Sequence, residues 1–202
     1  LLHPLSGMGF TYLATGWINE LSPRDGRLRL HAPIVGSAQQ RITGQVRYEV
    51  SVGATAEKLN IAGNGHLAYE PTAAGLASAS LTRLLYQDGP GLPVERSQFQ
   101  LEVVVESDSN QPIVNLSVAG GFQPGMLYEL LYEARNPVLA GAGMAAIRDM
   151  VSAIRFGDAA DQLAQLGVPE IDNTVAWGNS QSGRLLRQFM YDGFNEDLNG
   201  RK

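Results

Sequence analysis

The alternation of apolar and polar positions changes character near Gly120. Upstream of it the patterns are those of strands. Aromatic and β-branched residues from Met8 onward give way to the turn Ser22-Pro23-Arg24-Asp25-Gly26 and then to alternating Arg27-Leu28-Arg29-Leu30, which predicts a hairpin over residues 8–30 with one wet face. ITGQVRYEVSV, from Ile42 to Val52, alternates in the same way and puts Val46, Tyr48, Val50 and Val52 on one side. Residues 53–80 are rich in Ala, Gly and Ser with little period and read as loops around one short strand, His66 to Glu70. Leu81 to Tyr86 reads as another strand and Asp88 to Pro93 as an exposed turn. QFQLEVVVE, Gln98 to Glu106, is the clearest strand, and Ile113 to Val118 is its expected partner across Asp108 to Pro112.

Downstream the period lengthens. After the turn-rich Gly120 to Gly125, LYELLYEA (Leu127 to Ala134) reads as a buried strand and Arg135 to Gly143 as a loop. A helix follows over 144–156, with Ile147, Met150, Val151 and Ile154 at i, i+3, i+4 and i+7. Gly157 ends it, Asp158 starts a short helix through Leu166, and Gly167-Val168-Pro169 breaks that in turn. The run Thr174-Val175-Ala176-Trp177 reads as a last strand. Leu185, Leu186, Phe189 and Met190 then share one face of a last helix. Strand, helix, strand, helix implies a parallel βαβ unit, whose sites lie at the C-terminal edge of the strands. The expected fold is therefore α/β, with a β-rich region over 1–120 leading into a partial α/β core over 121–202.

Between that last strand and helix stands Gly178-Asn179-Ser180-Gln181-Ser182-Gly183. A strand, a sharp turn centred on a serine and a helix together form the layout of a nucleophile elbow. The turn needs small residues two positions either side of the nucleophile, because strand and helix approach closely there. Gly178 and Ser182 supply them, so Ser180 is the expected nucleophile and the backbone N–H of Gln181 the expected oxyanion donor. A shifted register with Ser182 as nucleophile would put Arg184 where a small residue is needed. Gly, Asn and Ser also build ordinary polar turns.

The residues from Gly178 to Arg201, GNSQSGRLLRQFMYDGFNEDLNGR, resemble the nucleophile region of a group of large α/β-hydrolases known mainly as alpha/beta hydrolase domain proteins. FQPGMLYELLYEARNPVLAGAGMAAIRDMVSAIRF, from Phe122 to Phe156, is similar to the same group's segment leading into its elbow. The likeness covers roughly residues 120 to 202; the first 120 share only a general β-rich character. It implies an α/β-hydrolase core and a serine hydrolase, an esterase, working through an acyl-enzyme on Ser180. The acid and histidine of the triad would lie after the elbow.

A serine hydroxyl needs a base, usually a histidine held by a carboxylate. His3, His31 and His66 all precede Ser180, whereas the superfamily order is Ser, acid, His. The acid and the base are therefore expected outside these residues, on the rest of a longer chain or on a second polypeptide. The alternative is a non-catalytic β-rich binding or scaffold protein with a degenerate hydrolase core. A small-molecule ester and the remainder of the hydrolase domain are the expected partners.

Composition narrows the classes. With 44% hydrophobic and 17% charged residues the 202-residue chain is ordinary globular material, and a net charge of −5 excludes the basic patch of a nucleic-acid binder. Without cysteine there is no disulfide framework or thiolate metal site. No apolar window is long enough to span a membrane. The start at Leu1 is read as processing or truncation upstream, favouring a secreted or periplasmic location over a cytoplasmic one. The sequon at Asn115 falls in an expected strand, which argues against glycosylation there.

Other motifs compete less well. Gly141 to Ala146 fits G-x-G-x-x-A, but no proper strand precedes it, so no dinucleotide or other cofactor is assigned and the glycines are read as allowing a tight loop. A second oxyanion donor is sought in Asn136 to Gly143 or in Gly121 to Gly125. Arg148 and Asp149, and Arg184 and Arg187, are read as structural or surface charges. The acidic run at Asp192, Asn195, Glu196 and Asp197 lacks cation-loop spacing, and no metal is assigned.

Overall fold

The structure is a computed structural model that describes residues 8–24, 26–36, 41–63, 65–105 and 111–202, with the side chain of Asp158 left aside. His3, the turn residue Asp25, Asn64 and most of the expected 108–112 connection lie outside the described residues. The chain forms two compact units, one of residues 19–27 and 31–139, the other of 1–18, 28–30 and 140–202.

The first unit is a pair of antiparallel sheets around one core. Its strands are β1 (Thr43–Ser51), β2 (Ala56–Asn60), β3 (Glu70–Pro71), β4 (Ser80–Leu84), β5 (Leu92–Val94), β6 (Phe99–Val104), β7 (Ile113–Phe122) and β8 (Leu127–Arg135). One sheet runs β1-β8-β4-β5, with β3 also on β8; the other runs β2-β7-β6. The alternation in LYELLYEAR decides which face of β8 turns inward. Tyr128, Leu130, Tyr132 and Ala134 are buried, while Glu129 and Glu133 point to the other face. Val114, Leu116 and Phe122 of β7, Phe99 of β6 and Leu81 of β4 join them in the core, with Val52, Ile61, Ala68 and Ala79 from the connections. Within it Phe122 meets Tyr128 edge to face at 4.9 Å, and Tyr48 stacks on Tyr132 at 5.8 Å. The Tyr132 hydroxyl donates to the Tyr69 carbonyl (2.8 Å), and the Tyr69 N–H donates to the Tyr48 hydroxyl (2.9 Å). Burial pushes both the Tyr48 and the Tyr132 phenols up, so these hydroxyls stay protonated hydrogen-bonding groups.

Helix α1 (Ala73–Ser78) interrupts what would otherwise be one long strand along β8. Glu70 and Pro71 pair with Arg135 and Ala134, and pairing resumes with Ser80 opposite Leu131. Residues 72–79 are thus looped out against Tyr132 and Glu133. The Glu133 carbonyl, which lacks a strand partner there, accepts the Thr72 N–H (3.0 Å), and the Thr72 hydroxyl caps the helix at Gly75 N (2.8 Å). Gly75 rests on that same carbonyl, onto which a Cβ would fall directly.

The strands expected at 42–52, 81–86, 98–106 and 113–118 form, and β6 pairs with β7 as foreseen. Asn115 sits in mid-β7. The strand at 66–70 shrinks to β3, with only an isolated bridge between His66 and Leu21 before it. α1, β2 and β5 arise where loops or turns were expected. Residues 8–30 do not form the expected hairpin. Among the described residues a single backbone bond, Leu30 N–H to Ile18 O (3.0 Å), joins its arms, the Asn19 side chain accepts the Ala32 N–H (2.8 Å), and Gly16 lies against the Leu28–Arg29 backbone with no room for a Cβ.

The second unit holds α2 (Ala142–Phe156), α3 (Asp158–Gln165) and α4 (Gln181–Tyr191), close to the three helices expected. The parallel βαβ unit does not form. Every named strand pairing is antiparallel, β8 belongs to the β-sheet unit, and Thr174 to Trp177 carries no strand pairing, with Val175 and Trp177 88% and 84% exposed. The physical reason is in β8 itself. Strands of a parallel sheet are covered on both faces and read as continuous apolar runs, whereas Glu129 and Glu133 need a wet face. The fold is mixed α/β with antiparallel sheets. Residue 120, the expected boundary, lies inside β7, and the division between units falls at 139/140.

Gly75→Ala is expected to destabilise the β-sheet unit by about 1–3 kcal/mol, the usual range for overpacking, because the obstacle is backbone and cannot rotate away. Urea denaturation followed by tyrosine fluorescence checks this.

Candidate active site

The turn into α4 is built from two close approaches. A Cβ at Gly178 would lie 2.6 Å from both the carbonyl carbon and oxygen of Ser182 and 2.8 Å from Gly183 N, so only glycine fits. Across the same gap a Cβ at Gly183 would be 3.2 Å from the Gly178 carbonyl oxygen. The segment leading in and the first turn of the helix are therefore in backbone contact, with Ser180 at the apex.

Ser180 has φ 52° and ψ −115°. Among the described residues only Asp88, Asn136 and Ser180 are non-glycine with positive φ. An L-residue held in so sparsely populated a region costs about 1–3 kcal/mol, and such strain persists only where the surroundings impose it. Serine is among the preferred N-cap residues, yet the Ser180 side chain makes no capping hydrogen bond to α4. Its hydroxyl is exposed and not spent on the helix.

The surrounding bonds hold this geometry. The Asn179 carbonyl accepts from Ser182 N (3.1 Å) and from the Ser182 hydroxyl (2.8 Å), which itself accepts the Asn179 N–H (2.8 Å). Arg184 N donates to the Ser180 carbonyl (3.1 Å), the first i→i−4 bond of the helix. Gln181 N–H is the first of α4, one of those the helix itself leaves unpaired, at its positive dipole end.

The far end of α4 is fixed by a Schellman motif. Gly193 takes φ 79°, its N–H donates to Met190 O (3.2 Å), and Phe194 N–H donates to Phe189 O (2.9 Å). The accompanying apolar contact is Phe194 on Phe189, rings 5.8 Å apart. Arg148 of α2 pairs with Asp149 (2.7 Å) and lies 5.6 Å from the Phe194 ring, tying the helix to this loop. Leu185, Leu186 and Phe189 are half-buried, but Met190, expected on their face, is exposed.

The acidic run after α4 has a structural use that the sequence did not reveal. Asp197, with a side chain only 6% exposed, accepts the N–H groups of Asn199 (2.8 Å) and Arg201 (2.9 Å) on Oδ1. Its Oδ2 accepts from the Ser152 hydroxyl (2.7 Å) and Arg201 Nε (2.7 Å). The Arg201 guanidinium beside it, with these donors, holds the Asp197 carboxyl well below the usual carboxylate range. Arg201 also lies 4.2 Å over the Phe156 ring, so the 197–201 turn is fastened to α2. An open depression of about 240 Å³ lies there, lined by Asp149, Ser152, Phe156, Asp197 and Arg201; Ser180 is not part of its wall.

Other expected contributors are placed elsewhere. His31 and His66 belong to the β-sheet unit, and among the described residues the unit of Ser180 contains no histidine. Gly121 to Gly125 forms the β7–β8 turn, where Gln123 N–H is taken by the Tyr128 hydroxyl (3.0 Å) and Gly125 N–H by Val52 O (2.7 Å), which removes both as oxyanion donors. In Asn136 to Gly143, the Asn136 and Leu139 N–H groups donate to Ile42 O and Pro33 O. Gly141, at φ 76°, starts α2, and Gly143 packs against the Trp17 backbone without room for a Cβ. These are the steric reasons for the glycines of the G-x-G-x-x-A stretch. Arg184 and Arg187 are exposed. No group of three or more His, Asp and Glu residues suited to a metal occurs among the described residues, and no described helix is long and apolar enough to cross a membrane.

No protein family, curated protein or solved structure matches the chain.

Two outcomes follow from this geometry. Gly178→Ala should push the two backbones apart, measured as lost amide-exchange protection through the first turn of α4. Because the Asp197 carboxyl titrates lower when folded than its ordinary value of about 3.9, its stabilisation is full above that pH and is lost as pH falls below about 4 through the folded value. Peptide-resolved hydrogen exchange should show the 197–201 turn loosening in that window in the native protein, with Asp197→Asn loose at neutral pH already.

Proposed function

We infer that the chain carries the nucleophile of a serine hydrolase. Ser180 attacks an acyl carbon, a carboxylic ester being the substrate class, and the Gln181 N–H receives the developing oxyanion. The observation that carries this is the backbone of Ser180. A serine at φ 52° and ψ −115°, exposed at the start of a helix it does not cap and flanked by a glycine that admits no Cβ, is strained without structural return of its own. Strain of this kind is a mark of functional sites, and lifting a hydroxyl clear of the chain at a helix N-terminus is what an elbow does. The reaction forms the Ser180 ester while the alcohol leaves, and water then releases the acid. A base must take the hydroxyl proton and return it to the alcohol. That base, with the acid that orients it, lies outside the described residues of this unit.

The second reading is a binding or scaffold protein in which the β-sheet unit makes the contacts and the elbow is inherited shape.

Treatment of the native protein with a fluorophosphonate, followed by peptide mass spectrometry, separates the two. An adduct on Ser180, and loss of ester hydrolysis by a factor on the order of 10⁶ in Ser180→Ala with unchanged circular dichroism, are the expected results. Hydrolysis retained in that variant, or a folded protein that takes no label, would overturn the hydrolase reading.

A further inference from the structure

We propose that Ser182 is a positioning residue for the nucleophile, its hydroxyl a two-way staple that fixes the peptide on the N-terminal side of Ser180. The proposal rests on Ser180 being the nucleophile. A hydroxyl has one proton to give and lone pairs to receive, and Ser182 uses both on a single residue, accepting the Asn179 N–H and donating to the Asn179 carbonyl, each at 2.8 Å. With the Ser182 N–H also on that carbonyl (3.1 Å), the plane of the Asn179–Ser180 peptide is held from the oxygen side.

That plane is the reference from which φ of Ser180 is measured, and the Arg184 N–H on the Ser180 carbonyl (3.1 Å) holds the plane on the other side. Two anchored peptide planes leave Ser180 no rotation by which to relax from φ 52° toward ordinary helical values. The side chain one would expect to cap α4 is that of Ser180, and it makes no such bond; the hydroxyl bonded to the turn is that of Ser182. The two serines thus divide the work, one holding the turn and the other left for chemistry. Gly178 packs on the Ser182 carbonyl carbon and oxygen, so the backbone that carries the staple is itself held against the incoming segment. Threonine keeps the hydroxyl, whereas alanine and glycine lose it.

The test is the rate of Ser180 labelling by a fluorophosphonate in the protein expressed from its complete gene, comparing wild type with Ser182→Ala, Ser182→Gly and Ser182→Thr. A misplaced nucleophile should slow the maximal inactivation rate about tenfold in S182A and S182G, with the inhibitor concentration for half-maximal rate unchanged, and S182T should restore it to within about threefold. Hydrogen exchange at the Asn179 amide should accelerate in S182A and S182G alone. Wild-type labelling rates in S182A with the fold intact would overturn the positioning role while leaving Ser180 as nucleophile. A wild type that takes no label would overturn the nucleophile reading, and the positioning role with it. If S182A fails to fold, S182G and S182T decide: equal rates in the two sink the proposal.

Discussion

β8 is bonded along both edges, to β1 on one side and to β3 and β4 on the other, and the β-sheet unit depends on that position. A strand with neighbours on both sides has no unpaired backbone to hide, so its alternation alone sets the layers: Tyr128, Leu130, Tyr132 and Ala134 inward, Glu129 and Glu133 outward. The one place where this ladder fails is opposite α1, and there the substitutes are specific. Thr72 supplies its N–H to the Glu133 carbonyl and its hydroxyl both to the helix and to the Glu133 carboxylate (2.7 Å). Gly75 lets the helix sit on the gap. At the end of the same strand, the Arg135 guanidinium and the Asn136 amide (2.7 Å) both reach Glu70 of β3 and hold its carboxyl below the usual range. Asn136 leaves the sheet at φ 56° with its side chain fixed by that bond.

The turn into α4 obeys a different constraint, contact between backbones rather than burial of side chains. α4 has no buried residue, and the apolar Val175, Trp177 and Leu198 are exposed. What orders the turn is that Gly178 and Gly183 have no Cβ and that Ser182 returns a hydroxyl to Asn179. The energy scale is modest, since individual hydrogen bonds contribute about 1 kcal/mol net against about 1–3 kcal/mol of backbone strain at Ser180. Several such bonds acting on two consecutive peptide planes are enough to keep the conformation, and none is dispensable by a wide margin.

Much of this was legible in the residues, for reasons that differ by region. β1 follows from alternation and α2 and α4 from apolar positions recurring at helical spacing, because a face turned even partly away from water leaves its period in a sequence; α3 follows instead from the cap and breaker residues at its ends. The turn at Gly178 to Gly183 was legible from residue size. α1, β2 and β5 were not, since Ala, Gly and Ser carry no period and Leu92-Pro93-Val94 is too short to show one; pairing with a neighbour decides them. The parallel arrangement inferred from strand and helix order was wrong at β8, where the two glutamates already marked a half-wet strand. The role of Asp197 depends on Ser152, 45 residues earlier, and on Arg201 closing a turn, a juxtaposition that spacing does not encode.

A strained serine alone does not make a hydrolase, and the chemistry shows what else is needed. At neutral pH the hydroxyl is a weak nucleophile, so its position helps only if a base stands within hydrogen-bond reach when the acyl group arrives. The two histidines among the described residues belong to the β-sheet unit, and Asp197, the most buried carboxylate near α4, is already saturated by four donors and fastened to Arg201. A carboxylate in that state cannot orient a histidine without giving up the bonds that hold the 197–201 turn. For the hydrolase we propose, the turn into α4 would supply two parts, the exposed Ser180 hydroxyl and the first N–H of the helix, and both are set by backbone geometry. The remaining parts are titrating side chains, and those must approach from the side on which Ser180 is exposed.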